Sequence, residues 1–136
     1  SRSMNNSFMN ALGLDVGMAR IGVARINSIA RISEPLAVLA NDELFISEIN
    51  KLIGVHSIDI VVVGLPRNMK GEKTAQTEYV EQFTEKLKEQ LNKPIVFQDE
   101  TLSTVAASER VTPQTKSMED AHAAAIILED FIETHV

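Results

Sequence analysis

Carboxylates from three places far apart in sequence, Asp15, the Asp99-Glu100 pair and Asp120, are the side chains of this 136-residue chain best suited to chemistry. The chain has no cysteine and three scattered histidines, which excludes a disulfide framework and a thiolate zinc site. A metal would therefore be held mainly by carboxylate oxygen. That donor set suits magnesium or manganese, hard cations that keep several of their waters. One or two such ions beside three acids can activate a water and stabilise the leaving oxygen of a phosphodiester, so the chemistry expected is phosphoryl hydrolysis. Left without a cation, the carboxylates would repel one another, and at least one should bind a proton more readily than usual.

Each acid also has a plainer reading. Asp15, two residues before Gly17, has the form of a turn aspartate bonded to backbone amides. Asp99 and Glu100 could cap a helix starting near Leu102, and Ser117-Met118-Glu119-Asp120 has the form of a capping box. Singly, these readings outweigh catalysis. Placement is what favours a shared site, because sites in parallel-stranded sheets form beyond the carboxyl ends of the strands.

The elements that must position the acids can be traced along the chain. Residues 10–15 and 20–26 are short apolar stretches about a turn containing Gly17, the pattern of a hairpin. Residues 36–39 suggest a third strand. Asp42 then stands where it could cap a helix carrying Leu44, Phe45, Ile49, Leu52 and Ile53. The β-branched run over residues 58–64 reads as a central strand buried on both faces and parallel to the first. Residues 65–73, with Pro66, Asn68 and Gly71, read as a loop. Val80, Phe83, Leu87 and Leu91 recur at helical spacing, residues 95–97 form a fifth strand, and Asp99 and Glu100 are expected just past its end. A short helix over 102–110, a loop over 111–117 and a last helix over 118–134 complete the reading. Asp120 falls one helical period ahead of the stripe through Ala124, Ile127, Leu128 and Phe131, on the core-facing side, and the small residues Ala123 to Ala125 would let that helix approach the sheet closely.

Hydrophobic residues at 44% and charged residues at 24% describe an ordinary globular chain of one domain. Ser1-Arg2-Ser3 ahead of Met4 reads as an expression remnant, residues 1–9 as a disordered tail and residues 10–136 as the domain. No apolar run approaches the roughly 20 residues of a membrane span and no leader pattern is visible, so a cytoplasmic protein with no membrane partner is expected. The net charge of −6 opposes nucleic-acid binding unless basic residues gather locally. Arg20, Arg67, Lys70, Lys73 and Lys116 fall on loops around the acids and could form such a rim, with Arg20 and Arg67 the stronger candidates; Ser103 and Thr104 could add phosphate contacts or simply cap a helix. Aromatic residues are 4% of the chain, so no base-stacking platform is evident.

Four ordered blocks, Leu14-Asp15-Val16-Gly17 with Arg20-Ile21-Gly22-Val23-Ala24, Val63-Gly64-Leu65-Pro66 with Asn68-Met69 and Gly71, Asp99-Glu100 with Leu102-Ser103-Thr104, and Asp120 with Ala123-Ala124 and Ile127-Leu128, resemble the RuvX/YqgF family. That family is described as Holliday junction resolvase-like and as nucleases maturing pre-16S ribosomal RNA. The resemblance implies a ribonuclease H-like α/β fold: a five-stranded mixed sheet, three strands antiparallel and then two parallel, flanked by helices. It implies Asp15, Glu100 and Asp120 as both catalytic and metal-binding acids, one or two Mg2+ or Mn2+ ions, and a nucleic-acid substrate. An rRNA precursor is favoured and branched DNA is the alternative, with a monomer or weak homodimer as the assembly. The chain departs from the family pattern at Thr101, where relatives usually carry arginine, and between Val111 and Ser117, where Lys116 is the one basic residue. Those departures keep a noncatalytic binding module as a third reading. An actin-like nucleotide binder, which needs two enclosing domains, is excluded by length.

Overall fold

The computed structural model describes residues 9–101 and 118–135. The expected N-terminal tail up to residue 8, the short helix over 102–110 and the loop over 111–117 lie outside these residues, and with them Ser103, Thr104 and Lys116.

Five strands, β1 (Asn10–Val16), β2 (Arg20–Asn27), β3 (Ser33–Ala40), β4 (Ile60–Arg67) and β5 (Ile95–Thr101), form one sheet in the order β3-β2-β1-β4-β5. The pairs β1–β2 and β2–β3 are antiparallel, while β4 lies parallel to both β1 and β5. This is the sheet that the family resemblance implied, and the parallel placement of β4 beside β1 is the one read from the residues themselves. Helices α1 (Phe45–Val55) and α2 (Ala75–Gln90) follow β3 and β4, and α3 (Glu119–His135) is the last element among the described residues.

The two-residue period of the strands sorts their side chains between two cores. Leu12, Leu14, Ile21, Val23, Val61 and Val63 face α1 and α2, where Phe45, Ile49, Val80 and Leu87 complete the layer. Ala11, Ala24, Ile26 and Val62 face α3, which contributes Ala124, Ile127, Leu128, Phe131 and Ile132. Beneath α3 the sheet carries glycine at several positions. A Cβ built on Gly13 would meet Leu128, and one on Gly64 would meet Ile127. Glycine and alanine along this face let α3 lie directly on the strands, the close approach that Ala123 to Ala125 led us to expect.

Several boundaries differ from those expected: β3 begins earlier, at Ser33, and takes in Pro35. β4 continues through Leu65, Pro66 and Arg67, which were expected in a loop. Beyond Val63 it is paired with β5 and no longer with β1, the edge-like position in which proline is tolerated. β5 likewise runs to Thr101, so Asp99 and Glu100 lie within the strand, supported by the ladder from Leu65↔Asp99 to Arg67↔Thr101. Asp42 does not cap α1. Its Oδ1 accepts from the Leu44 amide, building a turn ahead of a helix whose cap position is Leu44.

Candidate active site

Strand alternation places Asp15 on the α3 face, in step with Ala11 and Gly13. Asp15 lies opposite Gly22 in the antiparallel pair. A Cβ on Gly22 would fall 1.9 Å from the backbone oxygen of Asp120, so the absence of a side chain there is what lets the first turn of α3 rest beside Asp15. Asp15 and Asp120 consequently repel. Burial first, and the Asp120 charge second, raise the Asp15 pKa from 3.8 to about 6.

Asp120 has a cationic partner. Arg20, the first residue of β2 and on the same face as Gly22, donates from Nε to Asp120 Oδ2. This ion pair and its hydrogen bond raise the Arg20 pKa above its ordinary value. The turn between β1 and β2 is clamped from below: Gly17 N donates to Arg20 O at 3.0 Å, Asn41 Nδ2 to Gly17 O at 2.7 Å and Gln76 Nε2 to Val16 O at 3.1 Å. Gly17 therefore works as a turn glycine, while Asp15 stays available for chemistry.

Glu100 points to the α3 face with Val96 and Gln98, and interacts electrostatically with Asp15. Its direct side-chain neighbour on α3 is Asp130, not Asp120. Burial and the hydrogen bond to Asp130 raise its pKa to about 8. Asp15 thus stands between two acids, Asp120 on one side and Glu100 on the other, with a fourth carboxylate behind Glu100. Asp130 escaped the sequence reading, although it lies three residues after Ile127 on the face of α3 that meets the sheet.

Among the described residues no three histidine or carboxylate side chains are gathered closely enough to hold an ion by themselves. The donor chemistry nonetheless fits. Magnesium is usually held by one or two carboxylates, waters and substrate phosphates, and Asp15 with Asp120 supplies two crowded oxygen donors.

The basic residues divide by face. Arg67 departs on the side of Leu65, away from the acids, and pairs with Asp99 at 3.2 Å. Lys73 pairs with Glu81 on α2 at 3.0 Å. Lys70 is exposed on a tight loop built around Asn68, whose Oδ1 accepts from the amides of Lys70 and Glu72, both at 2.9 Å, and whose role is thereby structural. Of the arginines proposed for a phosphate rim, Arg20 stands with the acids and Arg67 does not.

A family model described as "RuvX: Holliday junction resolvase" matches residues 9–134. The chain belongs to the RuvX family. Among RuvX-related sequences, "Putative pre-16S rRNA nuclease" of Mycoplasma mobile is 36% identical over 93% of this chain and 94% of its own length. The protein of the same name from Chloroflexus aurantiacus is 38% identical over 90% and 85%. Among solved structures, Thermus thermophilus RuvC in complex with a Holliday junction substrate superimposes with a TM-score of 0.55 at 12% identity, covering 93% of this chain and 96% of that one. The RuvX chain therefore has the ribonuclease H-like fold that its motifs implied.

Proposed function

We propose that this chain is a metal-dependent nuclease that hydrolyses phosphodiester bonds in structured nucleic acid, with precursor 16S rRNA as its substrate, in the cytoplasm. The observation that carries this reading is the meeting of Asp15 and Asp120, 105 positions apart in sequence, at the carboxyl end of β1 with Glu100 on the same face. A bound Mg2+ or Mn2+ would supply an activated water and charge stabilisation at the leaving oxygen. Asp15 and Asp120 would hold it. Glu100, its pKa raised to about 8, is suited to orienting the attacking water and, in its deprotonated form, to taking a proton from it. Arg20 and Lys70 would contact phosphate oxygens flanking the scissile bond. Membership of the RuvX family and the names of its relatives support the choice of substrate.

The test is incubation of the chain with labelled precursor rRNA and with four-way junction DNA, with and without Mn2+, beside Asp15→Asn. Mn2+-dependent cleavage of the RNA that the variant lacks is the expected result. Cutting of the junction alone would assign a resolvase instead. No Mn2+ binding by calorimetry, together with no cleavage, would leave a binding module that keeps the fold.

A further inference from the structure

The Arg20–Asp120 pair places a cation on a carboxylate that the proposed mechanism assigns to a metal ion. Arg20 and an ion bound by Asp15 and Asp120 would compete for the same negative charge. The two partners differ in freedom. The Arg20 side chain is 66% exposed, so it can leave Asp120 by rotating into solvent without disturbing the core. Asp120 is 29% exposed, and its backbone is seated on Gly22. When the guanidinium leaves, the carboxylate stays. Arg67, which pairs with Asp99 on the opposite face, is not placed to substitute for it.

We propose that Arg20 is a positioning residue with two alternating partners: it stands in for the cation at Asp120 in the metal-free protein, and on metal binding it transfers to a phosphate oxygen of the substrate. The inference rests on the nuclease reading above. Its physical basis is charge balance. Without an ion, the Asp15 and Asp120 carboxylates repel, and the guanidinium on Asp120 screens that repulsion. With an ion in place, the same guanidinium would be repelled by it, and a phosphodiester at the rim offers the planar fork an acceptor of the right charge and shape. Metal occupancy and substrate grip are thereby linked through one side chain.

The linkage predicts opposite signs for two affinities. Calorimetric titration of Arg20→Gln with Mn2+ alone should show binding about two- to fivefold tighter than the wild-type chain, the value of releasing a partly exposed ion pair. Anisotropy with a labelled structured RNA, in Ca2+ to prevent cleavage, should show weaker binding, and the dependence of log affinity on log salt should fall by about one unit. A brace that merely held α3 to β2 would weaken Mn2+ binding on removal, and an Mn2+ affinity equal to or below wild type overturns the inference. Should Arg20→Gln not fold, Arg20→Lys carries the same test. Its ammonium pairs Asp120 less firmly than the fork, so Mn2+ binding tighter than wild type supports the exchange, and unchanged or weaker binding overturns it. A wild-type chain that binds no Mn2+ defeats the metal-dependent reading itself; a wild-type chain that binds Mn2+ no less tightly than its Arg20 variants defeats the exchange alone.

Discussion

Asp15 and Gly22 face each other across the antiparallel β1–β2 pair, and the space where Gly22 has no side chain is filled by the backbone of Asp120. Gly22→Ala would drive a Cβ into that backbone, which cannot rotate away as a side chain could. We expect a loss of about 1–3 kcal/mol in denaturant unfolding, together with weaker Mn2+ binding as α3 is pushed from Asp15. Gly54→Ala is the control. Its new Cβ meets nothing within 4 Å, and in α1 it should add about 0.5–1 kcal/mol. A Gly22→Ala protein as stable as wild type would mean that α3 does not need this seat.

Asp15→Asn should leave the fold intact and lower metal-dependent cleavage by about a hundredfold or more, since an amide cannot supply the charge that holds the ion. The same change removes a half-buried charge that the Asp120 carboxylate repels. The metal-free variant should therefore melt at a higher temperature than wild type at pH 8. A lower melting point there would contradict the burial argument.

The pH dependence of stability follows from two raised pKa values. Asp15, at about 6, and Glu100, at about 8, bind protons more tightly in the folded chain than in the unfolded one. Their contribution to stability is present in full below the unfolded values near 4 and is lost as pH rises through the folded ones. The metal-free protein should become less stable between pH 4 and pH 8. Thermal melts of Asp15→Asn should flatten the lower part of that decline and those of Glu100→Gln the upper part. A wild-type profile that rises over this interval would be inconsistent with both shifts.

Leu128 is fully buried, and its side chain occupies the place a Cβ on Gly13 would take. Leu128→Ala should cost about 2–5 kcal/mol by leaving a cavity between α3 and β1. Because that cavity lies below the acids, activity per folded molecule should fall far less than stability. Equal losses, measured by active-site titration against unfolding, would show that packing at Leu128 also sets the acid geometry.

Most of the fold was legible because its signals are local. The β-branched run in β4, the hairpin about Gly17 and the helical spacing in α2 and α3 each depend on neighbours within a few residues. The boundaries that slipped did so where tertiary pairing outweighed local preference: Pro66 and Glu100 belong to strands because β4 and β5 support each other there. The hydrogen-bonded Asn68 loop and the Thr74 capping box, with Thr77 Oγ1 also bonded to Pro66 O, required the three-dimensional positions of both partners.

By itself the sequence determined which residues could act: mainly oxygen ligands in a cysteine-free chain, Asp15 at the end of one strand, and Asp120 one helical period ahead of an apolar stripe. Tertiary structure alone decided who faces whom. It put Arg20 on Asp120, Asp130 on Glu100, and Arg67 with Asp99 on the opposite side of the sheet. The physical reason is the two-residue period of a strand, in which a shift of one position sends a side chain to the other face. Composition and motif name the charges, but register determines whether they meet.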